Sequence, residues 1–183
     1  SYKKNGYLIA AERDGIKATF ADFGNSPFNF RKEEVRGKTI VYSTTNGTQV
    51  IGKAGEIASE VAIGAFINLN SLCNFLIKKN KNVIIICAGW KMRFNLEDTV
   101  CAGAIADVLL KSGFFVSKCD SVAAATELWD VAKNNLISFA DKCAHRHRLK
   151  KLGLDDVIEY SFTLDAVDVI PVLDNATLVK SNY

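Results

Sequence analysis

The sequence predicts an α/β fold: a mostly parallel sheet with flanking helices, followed by a more helical C-terminal part. Three observations predict it. Apolar, β-branched runs alternate with helix-period stretches from residue 39 to residue 112, the pattern of repeated βαβ units with right-handed crossovers. One of these runs, Val83 to Ala88, is apolar at every position, as suits a strand covered by helices on both faces, and it is far too short to span a bilayer. Beyond Gly113 the apolar spacing is mainly helical.

Taken in order, Gly6 to Ala11 and Ile16 to Phe23 read as strands flanking the turn Arg13-Asp14-Gly15, either paired as a hairpin or apart in the sheet. Gly24-Asn25-Ser26-Pro27 stops the second. Thr39 to Ser43 reads as a strand, Gln49 to Ala58 as a glycine-interrupted helix, Glu60 to Phe66 as a strand and Leu69 to Lys79 as a helix. The central unit follows: the Val83 to Ala88 strand, a loop from Trp90 to Phe94, and a helix whose Leu96, Val100, Cys101, Ile105, Val108 and Leu109 form one stripe. Asn95 stands where an N-cap belongs and Asp98 three residues later, a variant of the capping box. Ser121 can cap Val122 to Lys133, and Leu136 to Leu152 reads as one long helix closed by Gly153. Asp168 to Leu173 ends the pattern as a short strand broken by Pro171.

Composition bounds the function. A chain of 183 residues, 49% hydrophobic and 23% charged, has material for one ordinary core. With no low-complexity linker to divide it, one domain over 1–183 is expected: sheet-rich in 1–112, mainly helical in 113–166, with a final strand at 168–173. A net charge of +3 is too small to imply nucleic acid, and nothing resembles a signal peptide or membrane span. Cys73, Cys87, Cys101, Cys119 and Cys143 form no CxxC pair, which reads as reduced thiols in a cytoplasm rather than a disulfide framework or zinc site. If the chain self-associates, a two-fold homodimer is the expected state, the commonest among small cytoplasmic proteins.

Four stretches carry candidate chemistry. In Thr44-Thr45-Asn46-Gly47-Thr48, Asn-Gly is a strong hairpin signal. If a helix begins near Thr48, the same stretch offers backbone N–H groups, hydroxyls and a positive dipole end to an anion. Glu97-Asp98 in a helix's first turn complements the dipole and needs no further role. At the end of a central strand, however, the pair suits magnesium, with Asp22 as a further oxygen donor. Cys87 to Arg93 fits the C-x5-R spacing of thiol-dependent phosphatases, although bulky Trp90, Lys91 and Met92 are awkward for a loop wrapping a phosphate, and a small cysteine ending a buried strand is the plainer account. His145-Arg146-His147-Arg148 with Lys150 and Lys151 reads as a solvated basic helix end.

Together the motifs Ala11-Glu12-Arg13-Asp14-Gly15, Phe23-Gly24-Asn25-Ser26-Pro27, Thr44-Thr45-Asn46-Gly47-Thr48, Cys87-Ala88-Gly89 and Arg93-Phe94 through Leu96-Glu97-Asp98 with Cys101-Ala102-Gly103 resemble the 2-phosphosulfolactate phosphatase family. They stand in the family's order and spacing, from about Gly6 through Val172. The resemblance implies a Mg2+-dependent phosphoric monoester hydrolase that converts 2-phospho-3-sulfolactate, or a similar small phosphorylated sulfonate or carboxylate, to 3-sulfolactate and phosphate, a step of coenzyme M synthesis. On that reading Asp22, Arg93, Glu97 and Asp98 are catalytic, with Asp98, Glu97 and Asp22 on the metal. Glu12, Arg13, Asn25, Ser26, Thr45, Asn46, Gly47, Thr48, Cys87 and Gly89 bind substrate, and Lys91 adds a candidate cation. Asp22 is a poor covalent nucleophile, because Gly24 fills the second acid's place in an Asp-x-Asp pattern. Family members begin with an additional strand and helix carrying an Asp-Val-Leu-Arg-Ala-type motif, so Ser1 is expected to be a cut point. They also tend to have glycine where this chain has Met92, so a different substrate shape is expected. Two alternatives stay open: a non-catalytic anion-binding or assembly module, and a thiol-dependent phosphatase using Cys87 and Arg93.

Overall fold

Strand β1 (Leu8–Arg13) is apolar through Ala11, where Ala10 and Ala11 are fully buried, and closes on Glu12 and Arg13. β2 (Ile16–Lys17) turns back against it antiparallel, pairing Glu12 with Lys17 and Arg13 with Ile16. β3 (Ile40–Ser43) runs parallel to β1 on its other side, in register from Leu8–Ile40 to Ala11–Ser43. The computed structural model describes residues 2–13, 15–31, 33–91, 93–151 and 156–182, without the side chains of Lys3, Lys4, His145, Arg148, Leu149 and Asp156. Asp14 and Gly153, assigned above to a turn and a helix stop, lie outside the described residues.

The sheet order is β2-β1-β3, so this sheet is mixed where a mostly parallel one was expected. The expected strand from Ile16 to Phe23 ends at Lys17. Ala21 N–H bonds the Ala18 carbonyl (3.0 Å), Asp22 and Phe23 N–H both reach the Ile9 carbonyl, and the chain rejoins β1 only through a parallel bridge between Phe23 and Ala10. Glu60 to Phe66 is likewise no strand beyond a bridge from Ala62 to Val172. Asn68, 3% exposed, bends that segment into a short 3-10 turn: its Oδ1 accepts from Ala65 N–H (2.9 Å), and its Nδ2 donates to the Ile63 (3.1 Å) and Val169 (2.9 Å) carbonyls.

Helix α1 (Gly47–Ile57) follows β3 directly, and α2 (Leu69–Lys79) spans the predicted residues. α3 (Leu96–Lys111) and α4 (Asp120–Ala132) cross so closely that a Cβ on Gly103 would strike the Ala125 carbonyl oxygen. Cys119, not Ser121, takes the N-cap of α4. The expected long helix from Leu136 to Leu152 is two, α5 (Leu136–Ala140) and α6 (Ala144–Lys151). The break follows from Asn135 capping Ser138 N–H (2.9 Å) and from Lys142 and Cys143 N–H bonding carbonyls three residues back, which tucks Cys143 into the interior. α7 (Asp156–Ser161) precedes a hairpin of β4 (Pro171–Asp174) and β5 (Thr177–Lys180). The final strand thus begins at Pro171 rather than breaking there, as proline tolerates at a strand's first residue. Asn175, at φ 53°, makes its turn. The core joins Phe66, Leu72, Phe75, Val100, Ile105, Leu109, Trp129, Phe139 and Ile170.

The largest departure lies at Val83–Ala88. This run passes between α2 and α3 without turn or bend, and its backbone makes no hydrogen bond among the described residues, so it is not the paired central strand expected from its composition. Among the described residues no helix is long and apolar enough to cross a membrane.

Candidate functional site

Parallel pairing fixes which loops meet. Because β1 and β3 point the same way, the turn after Ser43 leaves the sheet at the rim where Glu12 and Arg13 end β1. The bridge from Ala10 to Phe23 is also parallel, and sends Asn25 and Ser26 to that rim. The Gly89 loop is tied there by the Lys91 N–H, which donates to Asn46 Oδ1 at 2.9 Å.

Glu12, 6% exposed, is the rim's internal brace. Its Oε2 accepts from Gly15 N–H (2.5 Å), and its Oε1 from the N–H (3.2 Å) and hydroxyl (3.1 Å) of Thr45. Arg13 folds back, Nη1 donating to the Glu12 carbonyl (2.6 Å) and Nη2 to Ser43 Oγ (3.0 Å). Thr44 Oγ1 accepts from Thr48 N–H at 3.3 Å, so the Thr44 to Thr48 stretch is a strand-to-helix turn and not a hairpin. Asn46 is the N-cap of α1 but its side chain serves Lys91. No hydrogen bond among the described residues uses the N–H of Asn46 or Gly47, which leaves the positive end of α1 with donors to spare.

Across from it stands α3. Asn95 holds the N-cap position without the expected capping box: its Nδ2 donates to Glu97 Oε1 (3.0 Å), while Asp98 Oδ2 accepts from Gly89 N–H (2.6 Å) rather than from its own helix. That bond needs the left-handed backbone of Gly89 (φ +68°), where a Cβ would lie 2.6 Å from the Arg93 carbonyl oxygen. Trp90 and Arg93 close the loop with reciprocal N–H to carbonyl bonds of 3.1 and 3.0 Å. Asp98 Oδ1 accepts no hydrogen bond among the described residues.

Glu12, Asn25, Ser26, Gly47, Cys87, Glu97 and Asp98 line one cavity of about 810 Å3. Arg13, Asp22, Thr45, Asn46, Thr48, Gly89 and Arg93 are outside its lining, although Thr45, Asn46 and Gly89 hold its rim in shape. Asp22 is turned to the backbone, its Oδ2 accepting from Ile9 N–H at 2.9 Å. Sequence reasoning missed Cys143 and Arg146, which enter the cavity because the chain breaks between α5 and α6. The only signal of Arg146 was the basic run. Its Nε–H pairs with Asp141 Oδ1 at 3.0 Å.

Burial first, then the neighbouring charge of Asp98, pushes the Cys87 thiol up, against a lowering hydrogen bond from Thr99. Cys143 is pushed up to about 11, by burial and then by Glu97. The loop amides of Gly89, Trp90, Lys91 and Arg93 are all committed within the protein. A thiolate phosphatase needs the opposite on both counts. For a cation, Glu97 and Asp98 both line the cavity; Glu97 Oε1 already accepts from Asn95, whereas Asp98 Oδ1 accepts no hydrogen bond among the described residues, so Asp98 fits as a magnesium ligand and Glu97 as one only on releasing Asn95. Asp22 does not fit that set, and no group of three such ligands occurs among the described residues.

A helix start whose Asn46 and Gly47 N–H groups take no hydrogen bond among the described residues, set against paired acids across one cavity, defines the class: an α/β protein with a polar-ended cleft. Comparison with known sequences is more specific. The family model for 2-phosphosulpholactate phosphatase matches residues 1–176, and the chain belongs to that family. It is 35% identical over 181 residues to a "Probable 2-phosphosulfolactate phosphatase" of Thermotoga maritima, spanning 99% of this chain and 77% of that protein. A protein of the same name from Caldanaerobacter subterraneus is 34% identical over 99% of this chain and 74% of its own length, and one from Clostridium novyi is 36% identical over 95% and 73%.

Proposed function

We propose that the chain is a phosphatase that hydrolyses 2-phospho-3-sulfolactate, or a close analogue, to the free alcohol and phosphate. The observation that carries this reading beyond family membership is the juxtaposition of the α1 N-terminus at Gly47 with Glu97 and Asp98 across one cavity. The N–H of Gly47, which lines the cavity, binds a phosphoryl oxygen, with the Asn46 N–H beside it at the rim, where helix dipole and donors act together. Arg146 faces the same cavity and supplies a cation for the sulfonate or carboxylate end. Water attacks phosphorus in line, the bond from phosphorus to the substrate's C2 oxygen breaks, and the proton released by water ends on that leaving oxygen. Glu97 and Asp98 would hold Mg2+, which when bound neutralises developing charge on the phosphoryl oxygens.

Glu12 and Thr45 act as positioning residues, since their polar atoms face each other. The thiol alternative is disfavoured by the raised Cys87 thiol and the occupied loop amides. Phosphate release from 2-phospho-3-sulfolactate tests the reading, with and without Mg2+, in the parent chain, Asp98→Asn and Cys87→Ser. We expect Asp98→Asn to lose a factor of about 100 or more in turnover, the scale of a lost electrostatic contact in a transition state, and Cys87→Ser to retain most activity. Abolition by Cys87→Ser alone, without need of Mg2+, overturns it. Binding without turnover in all variants would favour the non-catalytic anion module.

A further inference from the structure

The loop that begins at Gly89 is held in a strained shape. Of the four non-glycine residues with positive φ among the described residues, three are Asn or Asp, whose short polar side chains suit that backbone. The fourth is Lys91, at φ 51°, two residues after Gly89 at φ +68°. Backbone of this kind persists only where its surroundings hold it. Reciprocal bonds between Trp90 and Arg93 close the loop on itself. Two further bonds tie it outward: the Gly89 N–H donates to Asp98 Oδ2 on α3 (2.6 Å), and the Lys91 N–H to Asn46 Oδ1 at the start of α1 (2.9 Å). An N-cap asparagine ordinarily spends that oxygen on its own helix. Asn46 makes no such bond, and Thr44 Oγ1 accepts from the Thr48 N–H instead (3.3 Å). The Asn46 side chain is thereby released to a loop 45 residues away.

We propose that the Asn46 side chain is a positioning residue for Asp98, acting through the Lys91 N–H and the Gly89 loop. Asn46 Oδ1 fixes the Lys91 peptide, and with it the left-handed backbone that the bond from Gly89 to Asp98 needs. Asp98 is then anchored by Oδ2, while Oδ1 accepts no hydrogen bond among the described residues. The start of α1, which offers the Gly47 N–H to an anion, and the acid that lines the same cavity are thus kept at a fixed separation. Loss of the Asn46 bond lets the loop relax from positive φ at Lys91, and Asp98 loses its anchor while α1 keeps its own hydrogen bonds. This role rests on the proposed function, in which those two ends act on one phosphoryl group.

Amide hydrogen exchange on the intact chain, without substrate or Mg2+, tests it in the parent, Asn46→Ser and Asn46→Asp. Serine remains a good N-cap but is too short to reach Lys91, whereas aspartate keeps an acceptor oxygen there. In Asn46→Ser the Lys91 and Gly89 amides are expected to exchange at least about tenfold faster, the scale of one lost hydrogen bond. Gln49 and Val50, whose amides bond the Asn46 carbonyl, should keep the parent's rates. Asn46→Asp is expected to restore protection of both loop amides. With 2-phospho-3-sulfolactate, Asn46→Ser should lose a factor of about 10 or more in kcat at little change in KM, since misplacing a reacting group costs turnover rather than binding. The proposal is overturned if Asn46→Ser leaves the loop amides unchanged, if Gln49 and Val50 accelerate with them, or if Asn46→Asp restores nothing. An active parent whose Asn46→Ser variant keeps its kcat overturns it too. A parent that releases no phosphate overturns the proposed function instead, and the exchange rates, read without substrate, still decide whether Asn46 holds the loop.

Discussion

Glu12→Gln isolates the brace on which the rim depends. The carboxylate is 6% exposed and takes three hydrogen bonds, from Gly15 N–H and from both donors of Thr45. A glutamine keeps one acceptor oxygen and turns an NH2 group toward the donors the other served, so at least one buried donor loses its partner. Hydrogen bonds to charged groups contribute about 1.5–3 kcal/mol, and we expect a loss of that size. In a chain of this length, 2 kcal/mol lowers the melting temperature by about 4–8 °C. Urea unfolding should show a lower midpoint at unchanged slope. A double-mutant cycle with Thr45→Val gives the decisive figure: the two changes remove one shared set of bonds, so a coupling of at least about 0.5 kcal/mol is expected. Strictly additive effects would refute the role assigned to Glu12, as would a Glu12→Gln protein that unfolds like the parent.

Other outcomes follow from the same geometry. Gly103→Ala, which drives a methyl into the Ala125 carbonyl, should destabilise by about 1–3 kcal/mol in urea unfolding without altering the rim amides in exchange. Gly89→Ala forces a side chain onto a left-handed backbone and against the Arg93 carbonyl, and should cost about 1–3 kcal/mol while releasing the Gly89 amide to exchange. At neutral pH iodoacetamide should modify Cys119 before Cys87, by mass spectrometry. Amides of Val122 and Ser121 lower the Cys119 thiol, whereas burial and Asp98 raise Cys87. Cys73 is raised to about 12 and Cys143 to about 11, both chiefly by burial, from an ordinary value of 9.0. A raised folded value favours the folded state fully below pH 9 and loses that contribution as pH climbs through the folded values. Stability should therefore fall from about pH 9 towards 11, by at most about 1.4 kcal/mol per pH unit and thiol.

How much of this could be read in the sequence depends on whether local chemistry or partnership decides. α2 was legible to the residue, because Leu69, Leu72, Cys73 and Phe75 form a helical stripe and Asn80 ends it in a left-handed turn. The rim motifs were legible as a set only through their resemblance to the family, in whose order and spacing they stand. Strand pairing was not: the apolar run at Val83 forecasts a strand by composition, but a ladder requires a neighbour, which no residue within the run encodes. Asp22 looked like a ligand by sitting after an apolar run, yet its carboxylate serves the Ile9 amide. Arg146 looked like a solvated cation until the break at Cys143 aimed it at the cavity, a tertiary effect invisible to periodicity.

The central claim is that the start of α1 and the acids of α3 share one anion site. It is tested most directly by following backbone amide resonances during titration with inorganic phosphate. The account predicts the largest shifts at Asn46 and Gly47, with smaller ones at Gly89 through its bond to Asp98. Shifts confined to the basic helix α6, with the Asn46 and Gly47 amides unmoved at saturation, would contradict it.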